Sequence, residues 1–124
     1  MRFWDSKLRP YQIRHCVRRG HFITSQSFGL RAVRGEIKTH IILIASKKAL
    51  NKRAVIRNFA KRRIRAALDR IEAIETPMNC ALLINRHVLE VNFQELVEEL
   101  HSKLTLAVKR IKEKSCNGTI PRRF

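Results

Sequence analysis

KKALNKRAVIRNFAKRRIRAALDRI, Lys47 to Ile71, decides how the rest of the chain must fold. Ile56, Ala60, Ile64, Ala67 and Ile71 step by threes and fours, and Ile74 continues the series. That spacing predicts an amphipathic helix from about Lys52 to Ile74, with one apolar stripe that must lie on something. At about 100° per residue, Arg57, Lys61 and Arg65 fall on the arc beside the stripe, and Asn58 and Arg62 carry that arc outward. Lys47, Lys48, Lys52 and Arg53 gather at the entry. Ordinary surface helices offset Lys and Arg with acids one turn away. Here the first acid is Asp69. Cations near a helix N-terminus also oppose its dipole. The arrangement makes physical sense where phosphates approach that end.

The whole chain is polarised the same way. It has 124 residues and a formal net charge of +17. Residues 1–65 hold 18 Lys/Arg against 2 Asp/Glu, while residues 66–124 hold 9 against 8. A dense like-charged surface repels itself unless a polyanion neutralises it. An anionic membrane would need an apolar face with Trp and Leu free to insert, and the one Trp, Trp4, lies outside the basic helix. No apolar run reaches bilayer-spanning length. Nucleic acid is the favoured partner. Cys16, Cys80 and Cys116 are far apart and form no C-x-x-C pair, so they read as free thiols with no metal site.

Outward from the basic helix, the length fits one domain, residues 1–114, followed by a disordered basic tail, 115–124. Tyr11 to Arg19 reads as a short helix after Pro10, stopped at Gly20. Phe28, Leu30 and Ala32 alternate with Gly29, Arg31 and Val33, which predicts a strand with one wet face. Thr39 to Ser46 reads as a buried central strand, and the two together suggest an antiparallel hairpin. Cys80 to Ile84 is a further apolar strand. Asn92 is placed to cap a last amphipathic helix. The predicted class is α+β: a small two-layer sandwich in the order α-β-β-β-α-β-α.

The segment from Ser46 to Arg65, S-K-K-x(3)-K-R-A-V-x-R-N-x(2)-K-R-x(2)-R, resembles the signature of the bacterial ribonuclease P protein component. Leu8, Ile13, Val17 and Gly20 are similar to that family's opening helix, and Phe93 to Leu104 to its last. The chain departs from the family at Phe59, where an Arg is usual, at Ala66, where a Glu is usual, and at Ile13, where an aromatic is usual.

The resemblance implies a left-handed β-α-β crossover around the basic helix, like that in a domain of a small-subunit ribosomal protein and an exception to the usual right-handed rule. It implies that Lys47, Lys48, Lys52, Arg53, Arg57, Asn58, Lys61, Arg62 and Arg65 face a catalytic RNA. It also implies a cleft for the 5′ leader of precursor tRNA, for which Phe28 is the best aromatic candidate, with Ile13 beside it and Tyr11 and Phe22 further out. The implied role is a cytoplasmic RNA-binding cofactor of ribonuclease P, with no small-molecule substrate. It belongs to a tRNA-processing endoribonuclease whose RNA, with its Mg²⁺, does the chemistry.

The residues agree that the protein is not the catalytic component. His15, His21, His40, His87 and His101 are scattered without acids nearby in sequence, and Glu90, Glu95, Glu98 and Glu99 read as the wet face of the last helix. The alternative is a structural RNA-binding protein of a bacterial or organellar ribosome on a similar fold. A DNA-binding module is disfavoured, because the apolar stripe leaves only one flank of the basic helix free for a groove.

Overall fold

The computed structural model describes residues 3–48 and 52–118, with side chains through 113. In chain order the elements are β1 (Trp4–Asp5), α1 (Pro10–Arg19), β2 (His21–Thr24), β3 (Phe28–Arg34), β4 (Thr39–Ile44), α2 (Ala54–Leu68), β5 (Met78–Ile84) and α3 (Phe93–Gly118). A single 3₁₀ turn, Arg86–Leu89, precedes α3. This is the expected α+β order with one short strand added in front.

The five strands form one sheet in the order β1-β4-β5-β3-β2. The expected hairpin between β3 and β4 is not there. β5 lies between them, antiparallel to β3 and parallel to β4. β4 and β5 are therefore neighbours joined through α2, which makes the β-α-β unit. The hairpin in this sheet is β2–β3. Two consecutive apolar strands look like a hairpin locally, but β5 is apolar along nearly its whole length, which suits the centre of the sheet.

Strand alternation sorts the side chains. Phe28, Leu30, Ala32, Ile41, Met78, Cys80, Leu82 and Ile84 point to one face and are sealed there with Ala60, Ile64, Leu68, Leu96, Leu100 and Leu104 from α2 and α3. The apolar stripe of α2 thus finds its partner. α2 stops at Leu68, short of Ile74, because the Arg70 N–H bonds the Ala67 carbonyl at 3.0 Å and tightens the last turn. Ile71 is still buried beyond the helix end.

The opposite face carries α1. Gly20 ends that helix with extended backbone (φ −68°), so a left-handed conformation is not why glycine stands here. The reason is contact: a Cβ at Gly20 would lie 2.4 Å from the Cys16 carbonyl oxygen and 2.9 Å from the Ala32 nitrogen. Glycine lets α1 touch the backbone of β3.

α3 begins with the Asn92 side chain accepting from the Gln94 N–H at 2.8 Å, as a cap should. It continues through Gly118, into the segment expected to be a disordered tail; residues 119–124 lie outside the described residues. Glu99 is not part of a wet face. Its carboxylate accepts from the Ser27 N–H at 3.0 Å, from the Ser27 hydroxyl at 2.9 Å, and from the Ser25 hydroxyl. It pins the β2–β3 turn to α3. Glu99→Ala removes the acceptor for all three donors, and a buried donor left unpaired costs about 1–3 kcal/mol. The expected result is a loss of that size in denaturant unfolding, with faster amide exchange at Ser27.

Candidate nucleic-acid interface

The cationic residues lie along α2 and in the segments that lead into it. Lys47 and Lys48 sit exposed in a turn directly after β4. Lys52 and Arg53 are exposed just before α2, and Asn58, Arg62 and Arg65 are exposed along it, with Arg57 and Lys61 half-buried beside the stripe. The Arg57 Nη1 donates to the Lys52 carbonyl at 2.7 Å, tying the helix to its entry. Arg53 occupies the N-cap and gives no side-chain cap, and the first turn holds no acid. The dipole's positive end and the cations therefore add. Such a surface suits a phosphate backbone.

Arg63 belongs to the same run of charge but not to this surface. Its Nη1 donates to the Val88 carbonyl at 2.8 Å and fastens α2 to the 3₁₀ turn. At about 100° per residue it falls on the opposite flank of the stripe from Arg57, Lys61 and Arg65, where Val88 meets it.

The expected leader cleft is not assembled as predicted. Phe28 has 0% exposure and packs in the core between sheet and helices, so it offers no face to a base. Ile13 and Tyr11 do not share a surface either. Two residues apart on a helix, they point about 160° apart. Tyr11, 60% exposed, lines a pocket with Gln12, His15, Arg34 and Asn79. Ile13 is half-buried on the other flank of α1, where Val17 follows it.

The register shows what does form the open face. One row across the sheet reads Phe22, Arg31, Ala81, Ile42, and the next reads Thr24, Gly29, Leu83, Ile44. α1 covers Ala81, and Leu83 stays exposed. Phe22, 48% exposed, leans over Gly29, whose missing Cβ would sit 3.4 Å from the ring. The Arg31 guanidinium lies 4.7 Å from the Phe22 ring centroid. An aromatic face with a cation beside it is a stacking site for a base whose phosphate the cation can hold. Phe22, not Phe28, is the aromatic that this face exposes. The signal in the sequence was the alternation: Gly29, Arg31 and Val33 are the wet side of β3, and Phe28 is not among them.

Among the described residues, the thiols and one histidine are engaged by the fold itself. The Cys16 sulfur lies 3.1 Å from both the Arg31 and Asn79 carbonyl oxygens. Burial pushes its thiol up to about 11, and burial also raises Cys80, so both stay protonated. His40 does have an acid, Asp5, from β1 thirty-five residues away. Burial pulls the Asp5 carboxyl up, but the Lys7 N–H, His40 and Lys38 together outweigh this and hold it below its ordinary value. The pair bonds β1 to β4 at the sheet edge. Among the described residues, no three His, Cys, Asp or Glu side chains are grouped to hold a metal. No described helix is long and apolar enough to cross a membrane.

The chain matches the family model for ribonuclease P over residues 8–110. No curated protein matches it in sequence. Its fold is similar to the Staphylococcus aureus RNase P protein, with a TM-score of 0.67 at 16% identity, covering 86% of this chain and 96% of that one. The RNase P protein from Thermotoga maritima gives a TM-score of 0.67 at 19% identity, covering 80% of this chain and 94% of that one.

Proposed function

The chain belongs to the ribonuclease P protein family, and from that premise we propose that it is the RNA-binding partner of a catalytic RNA that removes the 5′ leader from precursor tRNA. The observation that carries this reading is the α2 surface: Arg57, Asn58, Lys61, Arg62 and Arg65 on one helix with no acid between Lys47 and Leu68. These residues hold the phosphates of the RNase P RNA. The protein's work is electrostatic: it lowers repulsion between the catalytic RNA and the tRNA, and it holds the leader in place. Mg²⁺ enters on the RNA phosphates, since the described side chains group no ligand set for it and the α2 surface repels a bare cation. Family membership favours this reading over a structural role in a ribosome.

Within it, the leader crosses the open face of the sheet beside α1, with Phe22 stacking on an unpaired base and Arg31 on its phosphate. Assembled with RNase P RNA, the protein should hold leader-bearing tRNA more tightly than mature tRNA; equal affinities contradict the reading. Phe22→Ala should narrow that preference by about 1–3 kcal/mol, the value of one stacked base. Phe28→Ala should instead lower stability by about 3–5 kcal/mol, with leader preference kept in whatever fraction folds. A reversed pattern, with Phe28 governing preference and Phe22 silent, returns the cleft to the other face.

A further inference from the structure

α2 carries an aromatic where its own pattern calls for none. Phe59 is 53% exposed, and Val55, one turn earlier, is 78% exposed. Neither belongs to the stripe that packs on the core. At about 100° per residue, Phe59 lies about 60° round the helix from Arg62, and Val55 lies closer still to that arginine. Arg62 and Arg63 both stand one turn beyond Phe59. The apolar pair thus borders the cationic arc of α2 at its Arg62 edge, away from the core side. A neutral apolar groove of a second protein would cover the ring but leave the Arg62 charge without a partner. An unpaired nucleotide satisfies both at once, because its base has a face for the ring and its phosphate has a charge for the guanidinium.

We propose that Phe59 is a stacking residue for an unpaired base of the RNA held by α2, with Val55 extending the apolar contact and Arg62 holding the adjoining phosphate. The inference rests on the proposed function above and adds to it a contact that is not electrostatic. The bound RNA must then present a bulged or looped nucleotide against α2, not a continuous duplex, because a paired base has no free face to offer.

The experiment measures affinity for RNase P RNA across a range of salt concentrations, for the wild type and for Phe59→Ala, Phe59→Leu and Phe59→Trp. Because Phe59 is exposed, all four should fold alike, and circular dichroism checks this. The wild type must bind for the proposed function to stand; absence of binding overturns that function and this contact with it. Given binding, Phe59→Ala and Phe59→Leu should each weaken it about 10-fold at every salt concentration, while Phe59→Trp retains it. The log–log salt slope should not change, because a stack releases no counterions. Unchanged affinity in Phe59→Ala overturns the proposal alone and leaves Phe59 to a partner other than RNA. A fall in slope also overturns it, by showing that the ring acts only through the neighbouring cations.

Discussion

Replacing Arg57, Lys61 and Arg65 together by Ala should weaken RNA binding about a hundredfold at 0.15 M salt and flatten the log–log salt slope by about two to three units. The estimate follows from counterion release: each lost phosphate contact removes about 0.7–0.9 from the slope. Each single replacement should take up to about one unit. The three lie on one arc of α2 with no acid between Lys47 and Leu68 in sequence, and the Arg57 bond to the Lys52 carbonyl is to a neutral group, which leaves the charge in place. Arg63→Ala is the informative control. It removes the same formal charge two residues from Lys61 but breaks the 2.8 Å bond to Val88. It should leave the slope nearly unchanged and lower stability by about 1 kcal/mol. Equal slopes for the triple variant and the wild type would move the RNA to another surface.

The second large effect concerns stability. Gly20→Ala should destabilise by about 3 kcal/mol, the upper end of the usual cost of overpacking. The added Cβ would sit 2.4 Å from one backbone oxygen and 2.9 Å from a backbone nitrogen, and backbone cannot swing aside as a side chain can. For a domain of this size, that cost lowers the melting temperature by roughly 12 °C. Gly29→Ala provides the comparison. Its nearest neighbour is the Phe22 ring at 3.4 Å, an ordinary contact with a movable group. It should change stability by less than about 1 kcal/mol. Similar losses at both sites would mean that α1 does not approach β3 as closely as this structure has it.

The contrast between these two experiments matches what could be read from the sequence. The α2 surface was legible because a helix places residues three and four apart on one face, so a local pattern fixes both the stripe through Ile56, Ala60 and Ile64 and the cations beside it. The element order was legible for similar reasons. Strand adjacency was not: β3 and β4 each look apolar, and nothing local says that β5, which lies beyond the whole of α2, will part them. Alternation already put Phe28 off the wet side of β3, but that Phe22 of β2 stands beside Arg31 on that side depends on the β2–β3 register, which no local pattern gives. Arg63, Glu99 and the Asp5–His40 pair were misread or missed because their partners are 25, 72 to 74 and 35 residues away. Charge alone does not distinguish a side chain that waits for a ligand from one already bonded to its own fold.

The central claim is that this chain assists a catalytic RNA, and one measurement bears on it most directly: single-turnover cleavage of precursor tRNA by RNase P RNA at low Mg²⁺, with and without the protein. At low Mg²⁺ the RNA lacks the cations that screen its phosphates from those of the tRNA, so the α2 surface has most to contribute. The account predicts that adding the wild-type protein raises the cleavage rate, that the Arg57, Lys61, Arg65 triple-Ala variant raises it far less, and that high Mg²⁺ narrows the difference. No gain in cleavage at any protein concentration, with the protein folded and the RNA active at high Mg²⁺, would contradict it.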